Sequence, residues 1–206
     1  MVIVIVDYGM GNLGSIQNML KKIGVEALLS SDKDVIKNAD KLILPGVGAF
    51  DSGIENINRL GLIPILNEKV ITKKTPILGI CLGMQLFAKK SEEGTVPGLG
   101  WVDAEVIKFR TEQEKTNMKI PHIGWNYIRT TKESKLFNDM NGEERFYFVH
   151  SYHLEPKNKD DIIALTHYGY YFTSAIETGN IVGVQYHPEK SHKYGMKLLH
   201  NFSRLF

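Results

Sequence analysis

Residues 2–6, Val-Ile-Val-Ile-Val, form an unbroken run of β-branched side chains. A half-exposed strand alternates apolar and polar residues, whereas an unbroken run fits a strand covered on both faces. Residues 13–23 then place Ile16, Leu20 and Ile23 at helical spacing. Residues 27–29, 42–44 and 77–80 read as further apolar strands. Such strands, separated by helical stretches, predict an α/β fold with a mostly parallel central sheet flanked by helices. Beyond Gly100 the pattern changes. Residues 102–109, 145–153, 162–166 and 172–176 are short, aromatic or β-branched, and divided by polar turns, which predicts additional antiparallel strands in the C-terminal half. Residues 181–186 add one more strand. A closing helix over 196–206 has Leu198, Leu199 and Phe202 available to dock it. No internal repeat and no low-complexity linker interrupts the chain, so a single domain over 1–206 is expected. The polar stretch 111–118 is expected to be a loop.

Composition removes several function classes. Net charge is +2 with no long basic run, which gives no reason to expect nucleic acid. The longest apolar run falls far short of the ~20 residues of a membrane span, so no membrane association is expected. No charged leader precedes it, and the chain holds a single cysteine, so no internal disulfide can form. A reducing, cytoplasmic setting is therefore expected. No Cys/His group has zinc spacing, so no metal is expected. His150 and His153, three apart on one predicted strand, are expected to face opposite ways.

The chemistry starts at the lone thiol. Gly79-Ile80-Cys81-Leu82-Gly83 lies where the strand 76–80 meets a helix predicted over 82–89. This is the thiol form of a nucleophile elbow, a sharp strand-to-helix turn in which glycines remove side chains that would collide. A helix N-terminus favours the thiolate, the form that attacks, and the carboxyl ends of central parallel strands are where α/β sheets gather active sites. Read alone, the motif is also compatible with a buried cysteine between packing glycines. A thiolate performing acyl transfer needs a base, and the base an orienting group. His187-Pro188-Glu189 follows the strand 181–186. In extended chain, residues two apart point the same way, so imidazole and carboxylate can lie together. A developing oxyanion needs donors. The Leu82 N–H supplies one, and the glycine-rich loop Pro45-Gly46-Val47-Gly48 is a candidate for the second.

A competing signal is Gly9-Met10-Gly11-Asn12-Leu13-Gly14, a G-x-G-x-x-G pattern after a strand, with Asp32 near the offset of a ribose-binding acid. It supports a dinucleotide-binding oxidoreductase as the rival reading. Against it, Asp32 follows Ser30-Ser31 rather than ending the second strand.

Taken together, Gly79-Ile80-Cys81-Leu82-Gly83-Met84-Gln85, Pro45-Gly46-Val47-Gly48-Ala49-Phe50 and His187-Pro188-Glu189-Lys190-Ser191 resemble the class I (triad) glutamine amidotransferases. Asp7-Tyr8-Gly9-Met10-Gly11-Asn12, Lys119-Ile120-Pro121-His122-Ile123-Gly124-Trp125-Asn126 and Tyr147-Phe148-Val149-His150-Ser151-Tyr152 are similar to signatures of one branch, the glutaminase subunits of imidazole glycerol phosphate synthase. Ile123 stands where that branch often has Met. The resemblance covers essentially the whole chain and implies one type 1 glutamine amidotransferase domain with a class I glutaminase-like sheet. It implies Cys81, His187 and Glu189 as the catalytic triad. L-glutamine and its oxyanion would be met by Gly46, Val47, Gly48, Leu82, Gln85, Glu93, Ser151 and Tyr152. It further implies a heterodimer with a (β/α)₈ cyclase subunit, with Asn12, Trp125, Asn126 and Lys190 near that partner. The ammonia would serve histidine biosynthesis or, in paralogues, amidination of a surface-polysaccharide sugar. No cofactor and no metal is implied.

Overall fold

The computed structural model describes residues 1–110 and 118–206. The expected loop at 111–118 therefore lies, apart from Met118, outside the described residues. In the first half, strands β1 (Ile3–Val6), β2 (Ala27–Ser30), β3 (Lys41–Gly46) and β4 (Ile77–Cys81) alternate with helices. The helices are α1 (Leu13–Lys22), α2 (Lys33–Lys37), α3 (Phe50–Arg59) and α4 (Ile63–Asn67), the last running into a π-helical turn over Glu68–Thr72. The short helix α5 (Leu82–Gln85) and strand β5 (Lys90–Ser91) follow. The second half carries β6 (Ala104–Lys108), β7 (His122–Tyr127), β8 (Arg129–Thr130), β9 (Arg145–His150) and β10 (Tyr152–Pro156). It ends with β11 (Ile162–Tyr168), β12 (Tyr170–Thr178), β13 (Ile181–Val184) and helix α6 (His192–Leu205).

The main sheet has eight strands in the order β2-β1-β3-β4-β13-β12-β11-β8. From β2 to β13 all neighbours are parallel, and from β13 to β8 all are antiparallel. The mixed sheet expected from the sequence is therefore one continuous surface. Two smaller sheets, β10-β6-β5 and β7-β9, lie apart from it.

Alternation of side chains along each strand divides the apolar runs between two cores. Ile3 and Ile5, with Ile43, Leu78, Ile80, Val182 and Val184, pack against α1 and α6 through Ile16, Leu20, Leu198, Leu199 and Phe202. Val4 and Val6, with Leu42, Leu44 and Ile77, face the other way onto Ile54, Ile57, Leu66 and Leu86. This is why the first run contains no polar residue. Buried amines are satisfied by helix ends: Lys41 Nζ donates to the Phe202 and Ser203 carbonyls at 3.2 and 2.6 Å, fastening the last turn of α6 under β3.

Three expectations need correction. The helix after Cys81 ends at Gln85 rather than Lys89. Phe87 and Ala88 donate to carbonyls three residues back, and the Lys89 N–H goes to Ala104 O at 3.0 Å, so the backbone is diverted to pair with β6. The segment 145–153 is two strands in two different sheets, parted at Ser151. His150 and His153 therefore do not face opposite ways. Both pack on the Phe109 ring, with centroids 5.1 and 5.0 Å away. Trp125 and Asn126 lie within strand β7.

Among the described residues no helix is long and apolar enough to cross a membrane.

Candidate active site

Cys81 ends β4 and opens α5 with φ 53° and ψ −111°, a conformation that costs a non-glycine residue on the order of 1–3 kcal/mol. The neighbouring backbone explains why the turn tolerates nothing larger at Gly83: a Cβ there would collide with the Leu44 carbonyl. The tight crossing of α5 over β3 thus aims the Cys81 side chain away from the sheet and towards a cavity.

That cavity has a volume of about 380 Å³ and is walled by Val47, Gly48, Cys81, Leu82, Gln85, Glu93, Ser151 and Tyr152. Seven of these are residues expected to meet substrate, and they arrive from the loop after β3, α5, the loop after β5 and the β9–β10 break. Gly46 does not reach the cavity. It is the last residue of β3, pairs with Cys81 across the sheet and is closed in by the Tyr8 hydroxyl and Leu82. Gly48, at φ 110°, turns the loop at a backbone angle that side-chain-bearing residues rarely adopt. Pro121, Val149 and His150 complete the wall and were not anticipated. All three carried a signal, Pro121 inside the Lys119–Asn126 motif and Val149 and His150 inside the Tyr147–Tyr152 motif.

The base lies behind the nucleophile. His187 is 1% exposed and Glu189 Oε1 accepts from its Nδ1 at 2.7 Å. The pair forms in spite of the backbone: Pro188–Lys190 is a 3₁₀ turn, not the extended chain expected from the sequence. The His187 backbone is pinned separately, its N–H donating to Tyr147 O at 2.9 Å and its carbonyl accepting from Ser191 Oγ at 2.6 Å. Burial alone would favour the neutral ring. The Cys81 sulfur and the Glu189 carboxylate outweigh it and raise the His187 pKa to about 10. The His187 Nε2 makes no hydrogen bond of regular geometry.

Three more histidines sit beside the site as neutral groups. His150 Nδ1 meets Tyr152 O at 2.7 Å and must donate, which leaves Nε2 to accept from His122 Nδ1 at 3.1 Å. Asn126 Nδ2 contacts His122 Nε2 at 3.3 Å and donates to His167 O at 3.0 Å. Burial lowers His122 and His153 to about 4, and His150 well below its usual value. Between pH 6.5 and 4 the unfolded chain binds protons at these rings that the folded chain refuses, so stability should fall as pH falls through that window. His187 does not oppose the trend, since its raised pKa contributes fully below 6.5. Each tenfold difference in proton affinity is worth about 1.4 kcal/mol. The melting temperature should therefore drop steeply between pH 6.5 and 4, and His153→Gln should flatten the drop; an equally steep drop in that variant would place the acid sensitivity elsewhere.

The residues expected near a partner divide into separate groups. Trp125 is 43% exposed, stacks on His192 at 5.5 Å and pairs across β7–β9 with Tyr147. Lys190 Nζ lies 5.6 Å over the Tyr147 ring. Trp125 and Lys190 thus meet on Tyr147, whose carbonyl holds His187. Asn126, one residue along the strand, turns to the opposite face and ties His122 to β11. Asn12 precedes α1 and accepts from Ser15 Oγ at 2.9 Å. The rival dinucleotide reading loses its acid: Asp32 caps α2, accepting the N–H groups of Asp34 and Val35 at 2.8 and 3.0 Å. Gly11 packs against Pro45 and Gly46. Among the described residues no group of three or more His, Cys, Asp or Glu is arranged to hold a metal ion.

The family model for glutamine amidotransferase class-I matches residues 4–205. Imidazole glycerol phosphate synthase subunit HisH 2 of Methanococcus maripaludis is 54% identical over 200 residues, 97% of this chain and 98% of the relative. The protein of the same name from Pseudomonas aeruginosa is 46% identical over 203 residues, covering 98% and 99%. A structure of PurLQS from Thermotoga maritima superposes with a TM-score of 0.74 at 17% identity, covering 99% of this chain and 98% of that one, which speaks for the fold alone. The chain belongs to the class I glutamine amidotransferases, on the branch of the HisH subunits of imidazole glycerol phosphate synthase.

Proposed function

We propose that this chain hydrolyses L-glutamine at Cys81 and passes the ammonia to a (β/α)₈ cyclase subunit, with which it forms a heterodimer in the cytoplasm. The observation that carries the reading is the elbow cysteine in the wall of a 380 Å³ cavity, backed by a buried imidazole–carboxylate pair at 2.7 Å. The Cys81 thiolate attacks the carboxamide carbon of glutamine. As the C–N bond breaks, His187 gives its Nε2 proton to the leaving nitrogen and ammonia departs, leaving a thioester. Water then attacks the thioester carbon while His187 takes its proton, and the C–S bond breaks to release glutamate and the thiolate. Glu189 holds the ring and stabilises its charged form. The Leu82 N–H, with one from the Val47–Gly48 loop, would meet the oxyanion. Both protons of Gln85 Nε2 are committed, to Tyr152 O and Gln185 Oε1, so towards substrate Gln85 offers an acceptor suited to the α-ammonium group. In the cyclase, ammonia would be consumed to make imidazole glycerol phosphate and AICAR in histidine biosynthesis.

Coupling to the partner supplies the test. Val47 is 41% exposed at the mouth of the site, where a docked subunit can adjust the loop. A misaligned oxyanion donor costs about 2.7–4 kcal/mol, or ~10²–10³ in rate. Glutaminase activity should accordingly be weak in the chain alone and rise on addition of the cyclase, more so with acceptor nucleotide. Trp125→Ala and Lys190→Ala should reduce that rise while Cys81 stays reactive. Equal rates in all three conditions would mean that the oxyanion site is preformed.

A second acceptor is also supported. The relatives from Methanococcus maripaludis and Pseudomonas aeruginosa both carry the number 2 in their names, which fits a second copy with a separate task. Ammonia would then amidinate a surface-polysaccharide sugar through a similar barrel. Genetic deletion separates the two: histidine auxotrophy supports the first reading, and loss of a surface glycan without auxotrophy supports the second.

A further inference from the structure

A chain of hydrogen bonds runs from the Tyr152 carbonyl to the nucleophile, and its direction is fixed at the far end. A carbonyl oxygen only accepts, so the Gln85 atom 3.0 Å from Tyr152 O is the amide nitrogen. The second proton of that nitrogen goes to Gln185 Oε1, also at 3.0 Å. The Gln185 amide is thereby turned with its own nitrogen towards Cys81 Sγ, 3.6 Å away. Gln185 has no exposed surface, and its backbone N–H donates to Ser174 O at 2.9 Å. The anchor is held from a second side, since His150 Nδ1 donates to the same Tyr152 carbonyl at 2.7 Å.

We propose that Gln185 is a positioning residue for the nucleophile, donating a side-chain hydrogen bond that holds the Cys81 sulfur as a thiolate in the resting site. A buried anion needs donors, and Cys81 is only 6% exposed, so bulk water is a poor substitute. The titratable groups around the sulfur come from four elements. Tyr8, after β1, spends its hydroxyl proton on Pro45 O at 2.6 Å, and burial and the Cys81 charge keep it un-ionised. Glu93, after β5, accepts from the Phe50 N–H at 2.9 Å. His150, at the end of β9, is neutral. His187 with Glu189, after β13, supplies the balancing positive charge. Gln185 adds a neutral donor whose strength does not change with pH.

The proposal rests on Cys81 being the nucleophile, but it concerns the sulfur of the free protein, which can be measured without turnover. The experiment is the rate of Cys81 alkylation by iodoacetamide against pH, without glutamine, in the wild type, Gln185→Met and Gln185→Glu. Met keeps the length and removes the donor. Its alkylation midpoint should rise by about one pH unit, the size expected for a hydrogen bond to a charged group. Glu should raise it further, because a carboxylate beside the sulfur also repels it. In the wild type with ¹⁵N-labelled glutamine residues, the Gln185 side-chain amide signal should move with the alkylation midpoint. Unshifted midpoints in folded variants would overturn the proposal. If neither variant folds, an amide signal that stays still through the midpoint overturns it equally. Failure of the glutaminase reading looks different, with Cys81→Ala retaining glutamine turnover.

Discussion

Replacing Cys81 by alanine is expected to remove glutamine-dependent product formation, while the partnered cyclase continues to turn over when ammonia is supplied in excess. The expected loss is the full acyl-transfer rate, because there is no second thiol: Cys81 is the only one in the chain, and the strained turn presents its side chain to the cavity. A glutamine-like diazo-ketone should label the wild type on the peptide containing Cys81 and leave the variant unlabelled. Persistent glutamine-dependent activity in Cys81→Ala would remove the nucleophile assignment. The ammonia-dependent arm guards against a trivial explanation, since it shows that the cyclase and its acceptor are competent in the assay.

His187→Ala and Glu189→Gln should separate the base from its support. Loss of the imidazole should slow acyl transfer by roughly 10²–10⁴-fold, the usual size of general acid–base catalysis. Glu189→Gln keeps a side chain of the same length, but it withdraws the charge that helps hold the ring protonated against burial. It should therefore cost less than His187→Ala, with the optimum of the pH–rate profile displaced. The measurement is single-turnover thioester formation with cyclase present, across pH. Wild-type rates in His187→Ala would contradict the triad. A Glu189→Gln defect as large as that of His187→Ala would mean that the carboxylate does more than orient and stabilise the ring.

Local signals carried much of the site. The glycine-flanked elbow was legible because steric exclusion acts over a few residues, and Gly83 is crowded by Leu44 as a turn of this kind requires. The proximity of imidazole and carboxylate in His187-Pro188-Glu189 was legible too, but through the wrong geometry, since the pair closes in a 3₁₀ turn. Three features left no local trace. The β9–β10 break at Ser151 is caused by Tyr152–Pro156 pairing with Ala104–Lys108, some 50 residues away in sequence. It is what turns His150 and His153 onto one aromatic cluster. Gln185 looked like one more residue of a strand, and its role emerges only where Gln85 and Tyr152 fix the sense of its amide. The neutrality of His122, His150 and His153 follows from burial, a property of the packed molecule.

By itself the sequence determined the α/β class, the first strands and helices, and the candidate nucleophile, because apolar periodicity and glycine spacing reflect forces that act along the chain. Tertiary structure decided strand order. β13 inserts parallel to β4, registering Val184 beside Ile80, so the segment that follows brings His187 from a hundred residues away to the back of Cys81. Pairing of this kind depends on backbone groups that are alike at every residue, and its specificity comes from burying both faces of β13 between α6 and the opposite core. No single segment encodes that condition, so the proposed triad existed as two separate motifs until the sheet closed around it.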